Sequence, residues 1–188
     1  MTQAIYVCWI GAASEPLRLL DAAVAALHRE FATPARRLRL DTRPGNTFDV
    51  RRQQHSSRVI LAWLTERLPP DTAKLLAITD VDLFIPVLTF VFGEAQLGGR
   101  AAVVSLARLT EAADASSLAA RFCKEAVHEM GHTFGLVHCA TPACVMSRSA
   151  GLRAVDLKDD RLCADCRVRY RELTEHSHVP TETPHPDR

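Results

Sequence analysis

His128-Glu129-Met130-Gly131-His132-Thr133-Phe134-Gly135-Leu136-Val137-His138 is the stretch from which the rest of the chain is read. Positions i and i+4 of an α-helix differ by about 40° around the axis and lie about 6 Å apart along it. His128 and His132 therefore project from one face and can share one metal ion at a Zn–N distance of about 2.0–2.1 Å. Glu129 stands about 100° round from His128, beside the ion rather than on it. A carboxylate there serves as general base toward a metal-activated water. Gly135 can take a positive φ at a helix C′ position and turn the chain sharply out of the helix. His138 then arrives from outside the helix as a third ligand, leaving the fourth tetrahedral position open. The five-residue core of this motif arises by chance, whereas the extended form with its glycine and third histidine is far rarer. The competing reading makes His128 and His132 ordinary helix residues and Gly135 a plain helix cap.

Cys139 directly follows the third histidine, Cys144 comes after four intervening residues, and Met146 stands two beyond it. Cys163-Ala164-Asp165-Cys166 supplies a second pair. Two short-spaced pairs at this separation suit a tetrahedral four-cysteine structural zinc. Disulfides are the alternative for a chain with six cysteines, but nothing marks it as secreted. A redox C-x-x-C at Cys163 and Cys166 lacks the preceding strand of a βαβ pattern. Neighbouring Cα atoms lie about 3.8 Å apart, so His138 and Cys139 put two metal sites on one backbone segment. The cysteine site is expected to fix the loop that presents the third histidine.

From His128 to Cys166 the chain resembles the signature of the archaemetzincins, metzincin-like zinc proteases whose catalytic motif runs straight into a four-cysteine zinc site. The resemblance implies two zinc ions: a catalytic one on His128, His132 and His138, and a structural one on Cys139, Cys144, Cys163 and Cys166. It implies Glu129 as base and Met146 as the Met-turn methionine beneath the catalytic metal. It also implies a mixed, mostly parallel five-stranded sheet with one antiparallel edge strand bordering the cleft. The segment between Met146 and Cys163 is one residue shorter than the family pattern, a change that a loop absorbs.

At 188 residues the chain has the length of one domain with a single substantial core. Its 23 Lys and Arg against 22 Asp and Glu leave no strong field toward nucleic acid or a membrane surface. Arg36, Arg37 and Arg39 read as a solvated strand edge. Arg167, Arg169 and Arg171 beside the last cysteine pair are the support for a nucleic-acid-binding zinc ribbon, a reading that the histidine triad opposes. No apolar run approaches the length of a membrane-spanning helix. Residues 1–8 read as a first strand rather than a signal peptide. A cytoplasmic, reducing setting is expected, which favours metal over disulfide for the cysteines, and a monomer is expected.

Strands alternate with helices along the chain. Residues 5–10 form an apolar run suited to a buried strand. Ser14 is placed to cap a helix with Pro16 in its first turn and Leu17, Leu20, Val24, Leu27 and Phe31 at helical spacing. Residues 37–41 alternate Arg and Leu as a second strand would, and 43–46 mark a loop. Ser56 or Ser57 can cap a helix whose inner face is Val59, Ile60, Trp63, Leu64 and Leu68, stopped by Pro69 and Pro70. Further strands are expected at 74–79, 88–92 and 102–106, a long site-bearing helix at 116–136, and a short helix at 164–173. Residues 177–188, rich in Pro and polar side chains, read as a disordered tail.

This order predicts an α/β fold with a mostly parallel sheet and crossover helices. One metallopeptidase domain is expected over 1–176, its sheet and active-site helix in an upper part, 1–135, and a small zinc-stabilised lower part at 136–176. Leu88, Thr89, Phe90, Val91 and Phe92 are the candidate edge strand, onto whose free N–H and C=O groups an extended peptide could add. A buried strand is the competing reading.

Other residues are assigned plainer roles. Asp80 and Asp82 read as turn caps, and Gly93, Gly98 and Gly99 shape a turn rather than a phosphate loop. Cys8 and Cys123 are small core hydrophobes, Met130 and Phe134 core residues, and His28 and His55 surface residues. His176, His178 and His185 offer at most adventitious metal binding. The expected activity is zinc-dependent hydrolysis of peptide or protein substrates with Glu129 as general base. The alternative is a zinc-stabilised peptide-binding module with little turnover, which would have no need of Glu129.

Overall fold

A computed structural model of the chain describes residues 3–176. The expected tail at 177–188, with His178 and His185, lies outside the described residues, as does the side chain of His176. In chain order the elements are β1 (Ala4–Trp9), α1 (Leu17–Phe31), β2 (Ala35–Leu38), β3 (Phe48–Asp49), β4 (Gln54–Ser56), α2 (Ser57–Thr65), β5 (Thr72–Thr79), β6 (Leu83–Phe84), β7 (Gly93–Ala95), β8 (Ala101–Ser105), α3 (Ala115–Thr133), α4 (Leu152–Leu157) and α5 (Ala164–His176).

A strand with no solvent-facing side must lie inside a sheet covered on both faces. The buried β1 does so, pairing in parallel with β2 on one edge and β5 on the other. The five-stranded sheet runs β2-β1-β5-β8-β7, parallel except for β7, which is antiparallel to β8 and forms one edge. Successive side chains enter opposite layers. Ile5, Val7, Leu76, Ile78, Ala102 and Val104 join the core shared with α1 and α3, while Tyr6, Cys8, Leu75, Ala77, Ala101 and Val103 meet Ile60, Leu61 and Leu64 of α2. The first core continues into Cys144, Val145, Met146, Val155 and Leu162, so the segment after the site helix packs on the same interior. Among the described residues no helix is long and apolar enough to cross a membrane.

Residues 88–92 are not a strand; they form a bend with one isolated bridge, Leu83 to Val91. The Arg52 guanidinium engages the carbonyls of Leu88 and Thr89, and Arg108 lies 4.1 Å from the Phe90 ring centre. Arg52 thus occupies carbonyls that a strand neighbour would need. The antiparallel edge is instead β7, so Gly93 belongs to the edge strand rather than to a turn. β2 begins two residues earlier than expected and ends at Leu38, whose partner Cys8 is the last paired position on that side of β1.

Helix starts also differ. α1 has Pro16 as its N-cap and no side-chain cap. Asp80 accepts the N–H groups of Ala12 and Ala13, each at 2.8 Å, which draws the loop around Ser14 onto the end of β5. Asp82 does more than cap its turn: besides the adjacent Leu83 backbone, it takes both arms of Arg108 at 2.7 Å and Gln54 at 2.9 Å. The site helix ends at Thr133, three residues short of Leu136. The small sheet β3-β4-β6 and the helix α4 were not foreseen, because strands of two or three residues carry no readable periodicity.

Candidate metal centre

α3 starts where Asp114 accepts the Ser117 N–H at 2.8 Å, a side-chain N-cap. Its second half is buried from Glu125 to Gly131, so the ligand-bearing turns are held by the core rather than exposed to fraying. The far end is a Schellman closure. The Leu136 N–H bonds the Gly131 carbonyl at 3.1 Å, the Gly135 N–H bonds the His132 carbonyl at 2.9 Å, and Gly135 has φ of +92°. Lys74 of β5 adds a cation at this helix end, donating to the Thr133 carbonyl at 2.6 Å.

That closure aims the imidazoles. The Leu136 carbonyl, brought back under the helix, accepts from Nδ1 of His132 at 2.7 Å, and the Val145 carbonyl accepts from Nδ1 of His128 at 2.8 Å. A carbonyl can only accept, so both rings carry their proton on Nδ1 and present a bare lone pair on Nε2. Those two Nε2 atoms face each other at 3.2 Å. Two lone pairs at that distance repel unless a cation lies between them. Ligands about 2.0–2.1 Å from a tetrahedral zinc stand about 3.3–3.4 Å apart, which matches. His138, exposed at the rim, completes a triad whose ligand atoms all lie within 4.8 Å of one another. Burial drives the His128 pKa well below its ordinary value, with Lys158 and His132 adding to it. Burial also lowers His138, reinforced by His132 and by the nearby charge of Arg148. Neutral imidazole is the form that binds metal.

The second group is equally suited to a divalent ion. Cys139, Cys144, Cys163 and Cys166 bring their sulfurs within 4.8 Å of one another, and none is disulfide-bonded. The Cys139–Cys163 sulfur separation is 3.8 Å, far beyond a disulfide of about 2.05 Å and equal to the edge of a zinc tetrahedron with Zn–S of about 2.3 Å. Backbone N–H groups of Thr141 and Cys163 point at the sulfurs of Cys139 and Cys144, each at 3.4 Å. Against burial, the Thr141 hydrogen bonds bring the Cys139 thiol down to about 7, while burial holds Cys144 and Cys166 up. A divalent cation among four such sulfurs would bind them as thiolates, displacing their protons.

The two groups share backbone. Cys139 follows His138, and the carbonyl that orients His128 belongs to Val145, next to Cys144. The Cys139 N–H also bonds the Met146 carbonyl at 2.9 Å. Glu30 of α1 braces the same unit, accepting the Leu162 N–H at 2.9 Å and Arg167 at 2.7 Å. Arg169 pairs with Glu172. Two of the three arginines beside the cysteines are thus committed internally.

Three features went unread in the sequence. A Cβ on Gly131 would lie 2.5 Å from the Met146 sulfur, so this glycine admits the buried methionine against the site helix. The signal was available, since a mid-helix glycine costs about 1 kcal/mol against alanine and wants a reason. A Cβ on Gly93 would meet the Glu129 side chain at 2.6 Å and the Val103 carbonyl at 2.7 Å, so the edge strand packs directly on the carboxylate's stem. The third feature is a buried ion pair: Lys158 stands 2.8 Å from Glu125, which also accepts from Ser149 at 3.1 Å. Among the described residues the Lys158 ammonium forms no well-aligned hydrogen bond beyond this ion contact. Pairs so distant in sequence leave no local trace. We expect Gly131→Ala to displace Met146 and lower stability by about 1–3 kcal/mol, the usual range for overpacking. Thermal unfolding checks this, and an unchanged midpoint would refute the contact.

Glu129 is buried beside the triad, and burial pushes its carboxyl well above the usual range, with Glu125 and Glu94 adding to burial and Lys158 opposing them. Beside it lies a cleft of about 730 Å³ lined by His128, Glu129, His132 and His138, by β7, and by Leu88, Thr89, Phe90, Val91 and Phe92. The residues expected as an edge strand thus reach the cleft as an irregular wall.

A model of peptidase family M54 matches residues 24–172. The chain is 41% identical over 134 residues to the archaemetzincin of Methanocaldococcus jannaschii, covering 69% of this chain and 73% of that protein. The crystal structure of archaemetzincin from Methanopyrus kandleri superimposes with a TM-score of 0.84 at 30% identity, covering 93% of this chain and 96% of that one. A zinc-dependent peptidase from Methanocorpusculum labreanum superimposes with a TM-score of 0.77 at 30% identity, covering 88% and 99%. Matches of this extent make the chain a member of peptidase family M54, the archaemetzincins, and a zinc metallopeptidase.

Proposed function

We propose that this enzyme cleaves peptide bonds at a zinc held by His128, His132 and His138, with Glu129 as general base. A second, structural zinc is held by Cys139, Cys144, Cys163 and Cys166. The observation that carries the reading is the pair of Nε2 lone pairs facing at 3.2 Å, with each Nδ1 tied to a carbonyl, beside a buried carboxylate that opens on a cleft. Zinc at the triad supplies Lewis acidity, polarising the scissile carbonyl and lowering the pKa of a water to about 7. Glu129 takes the proton from the attacking water and passes it to the departing amine. Its burial suits the second task, because a carboxyl disfavoured as an anion readily holds a proton.

Substrate binding follows from β7. Hydrogen bonds from Gln96 to Ala101 and from Ser105 to Phe92 set the antiparallel alternation, which spends the backbone of Glu94 on Val103. The N–H and C=O groups of Gly93 and Ala95 then face away from β8, free to pair with an extended peptide. Leu88, Thr89, Phe90, Val91 and Phe92 provide a largely apolar wall for its side chains. Met146 and Gly135 support the site, one as packing under the helix and the other as the exit turn. The chain acts as one domain over 1–176, with 1–135 forming the sheet and site helix and 136–176 the cysteine-bound base.

Incubating zinc-loaded protein with a mixed peptide library is expected to give cleavage that stops on chelation and returns with zinc. Chelation should also lower the melting temperature, since metal at a cysteine site contributes folding energy. Intact turnover in fully metal-free protein would overturn the reading.

A further inference from the structure

The charged groups lining the cleft are not equivalent. Glu94 is held by the Ser57 hydroxyl at 2.5 Å and faces Arg58 at 3.8 Å. Glu125 is paired with Lys158 and accepts a hydrogen bond from Ser149. Glu129 lies against Gly93 beside the triad. Arg148, in the wall formed just after Met146, is exposed and, among the described residues, forms no hydrogen bond, ion pair or ring contact. By contrast Arg52, Arg108, Arg121 and Arg167 each have a fixed partner.

An arginine keeps its charge at any working pH and presents a planar fork of donors that matches a carboxylate. Elsewhere the cleft rim is apolar and exposed at Val87, Leu88, Leu97 and Val137. A ligand satisfying both surfaces has apolar side chains along that rim and one carboxylate beside Arg148. Resting on the peptidase reading above, we propose that Arg148 is a specificity-determining residue that selects peptides presenting a carboxylate, either a free C-terminus or an Asp or Glu side chain. A bidentate guanidinium–carboxylate contact favours such peptides over their amides by about tenfold.

The test separates binding from turnover. Zinc-loaded Glu129→Ala protein, alone and combined with Arg148→Gln or Arg148→Lys, is titrated with fluorescein-labelled hexapeptides of Ala, Leu and Phe. The peptides are a free acid, its C-terminal amide, and amides carrying one Asp or one Asn. Anisotropy should show about tenfold tighter binding of an acid than of its amide, and the ratio should fall toward unity with Arg148→Gln and partly recover with Arg148→Lys. The free-acid and Asp arms distinguish a terminal from a side-chain carboxylate. Equal affinity for acid and amide overturns the proposal, and so does failure to bind either. A preference that survives Arg148→Gln assigns the carboxylate to the metal and overturns it too. Cleavage of the same peptides by protein with Glu129 intact tests the peptidase reading separately, since loss of turnover leaves the binding ratio standing.

Discussion

Glu129→Ala protein is expected to bind zinc at the wild-type stoichiometry and to lose peptide turnover by about 10²–10⁴-fold, the usual contribution of a positioned general base. The proposed ligand set is the histidine triad, a group that does not include Glu129. Removing the carboxylate therefore leaves the metal its three nitrogens. What disappears is the acceptor for the water's proton, and the neighbouring carboxylates are engaged elsewhere: Glu125, one turn earlier on the helix, with Lys158 at 2.8 Å, and Glu94 with the Ser57 hydroxyl at 2.5 Å. Metal analysis beside steady-state kinetics decides the point. Undiminished turnover would remove Glu129 from the mechanism, and loss of zinc would make it a ligand. Glu129→Gln should behave as the alanine variant does, because the amide keeps the shape and lacks the basicity.

Cys163→Ser is expected to release the structural zinc and to weaken the catalytic one by about 10–100-fold, the scale on which supporting groups tune a metal site. Two connections transmit the damage. Cys139, whose sulfur lies 3.8 Å from that of Cys163, is covalently next to His138. Cys144 is next to Val145, whose carbonyl holds the His128 ring at 2.8 Å. Freeing the cysteine loop thus unsettles two of the three imidazoles, while His132 keeps its bond to Leu136 at 2.7 Å. Zinc content and competition with a chelator measure both sites. Loss of one zinc with unaltered affinity and activity at the other would show that the sites are independent.

The residues with defining chemistry were legible because their spacing is itself the geometry. Four residues along a helix return to the same face, so His128 and His132 could be paired without a structure. A glycine three residues later announced the reversal that Gly135 makes with φ of +92°. The apolar runs at β1, β5 and β8 revealed a covered sheet, since a strand buried on both faces has no polar alternation. The edge strand was misplaced because Leu88-Thr89-Phe90-Val91-Phe92 has strand-forming residue types. Arg52 and Arg108, remote in sequence, hold that segment as a bend.

Sequence alone determined which histidines and cysteines are candidate ligands, the helix that carries two of the histidines, and the main buried strands β1, β5 and β8, because each depends on spacings within a few residues. Tertiary structure alone decided which glycine clears room for Glu129, how Met146 reaches Gly131, where Lys158 finds Glu125, and that Arg148 lines the cleft with no partner among the described residues. These are contacts between segments far apart along the chain, and local periodicity holds no record of such distances until the core closes and brings them together.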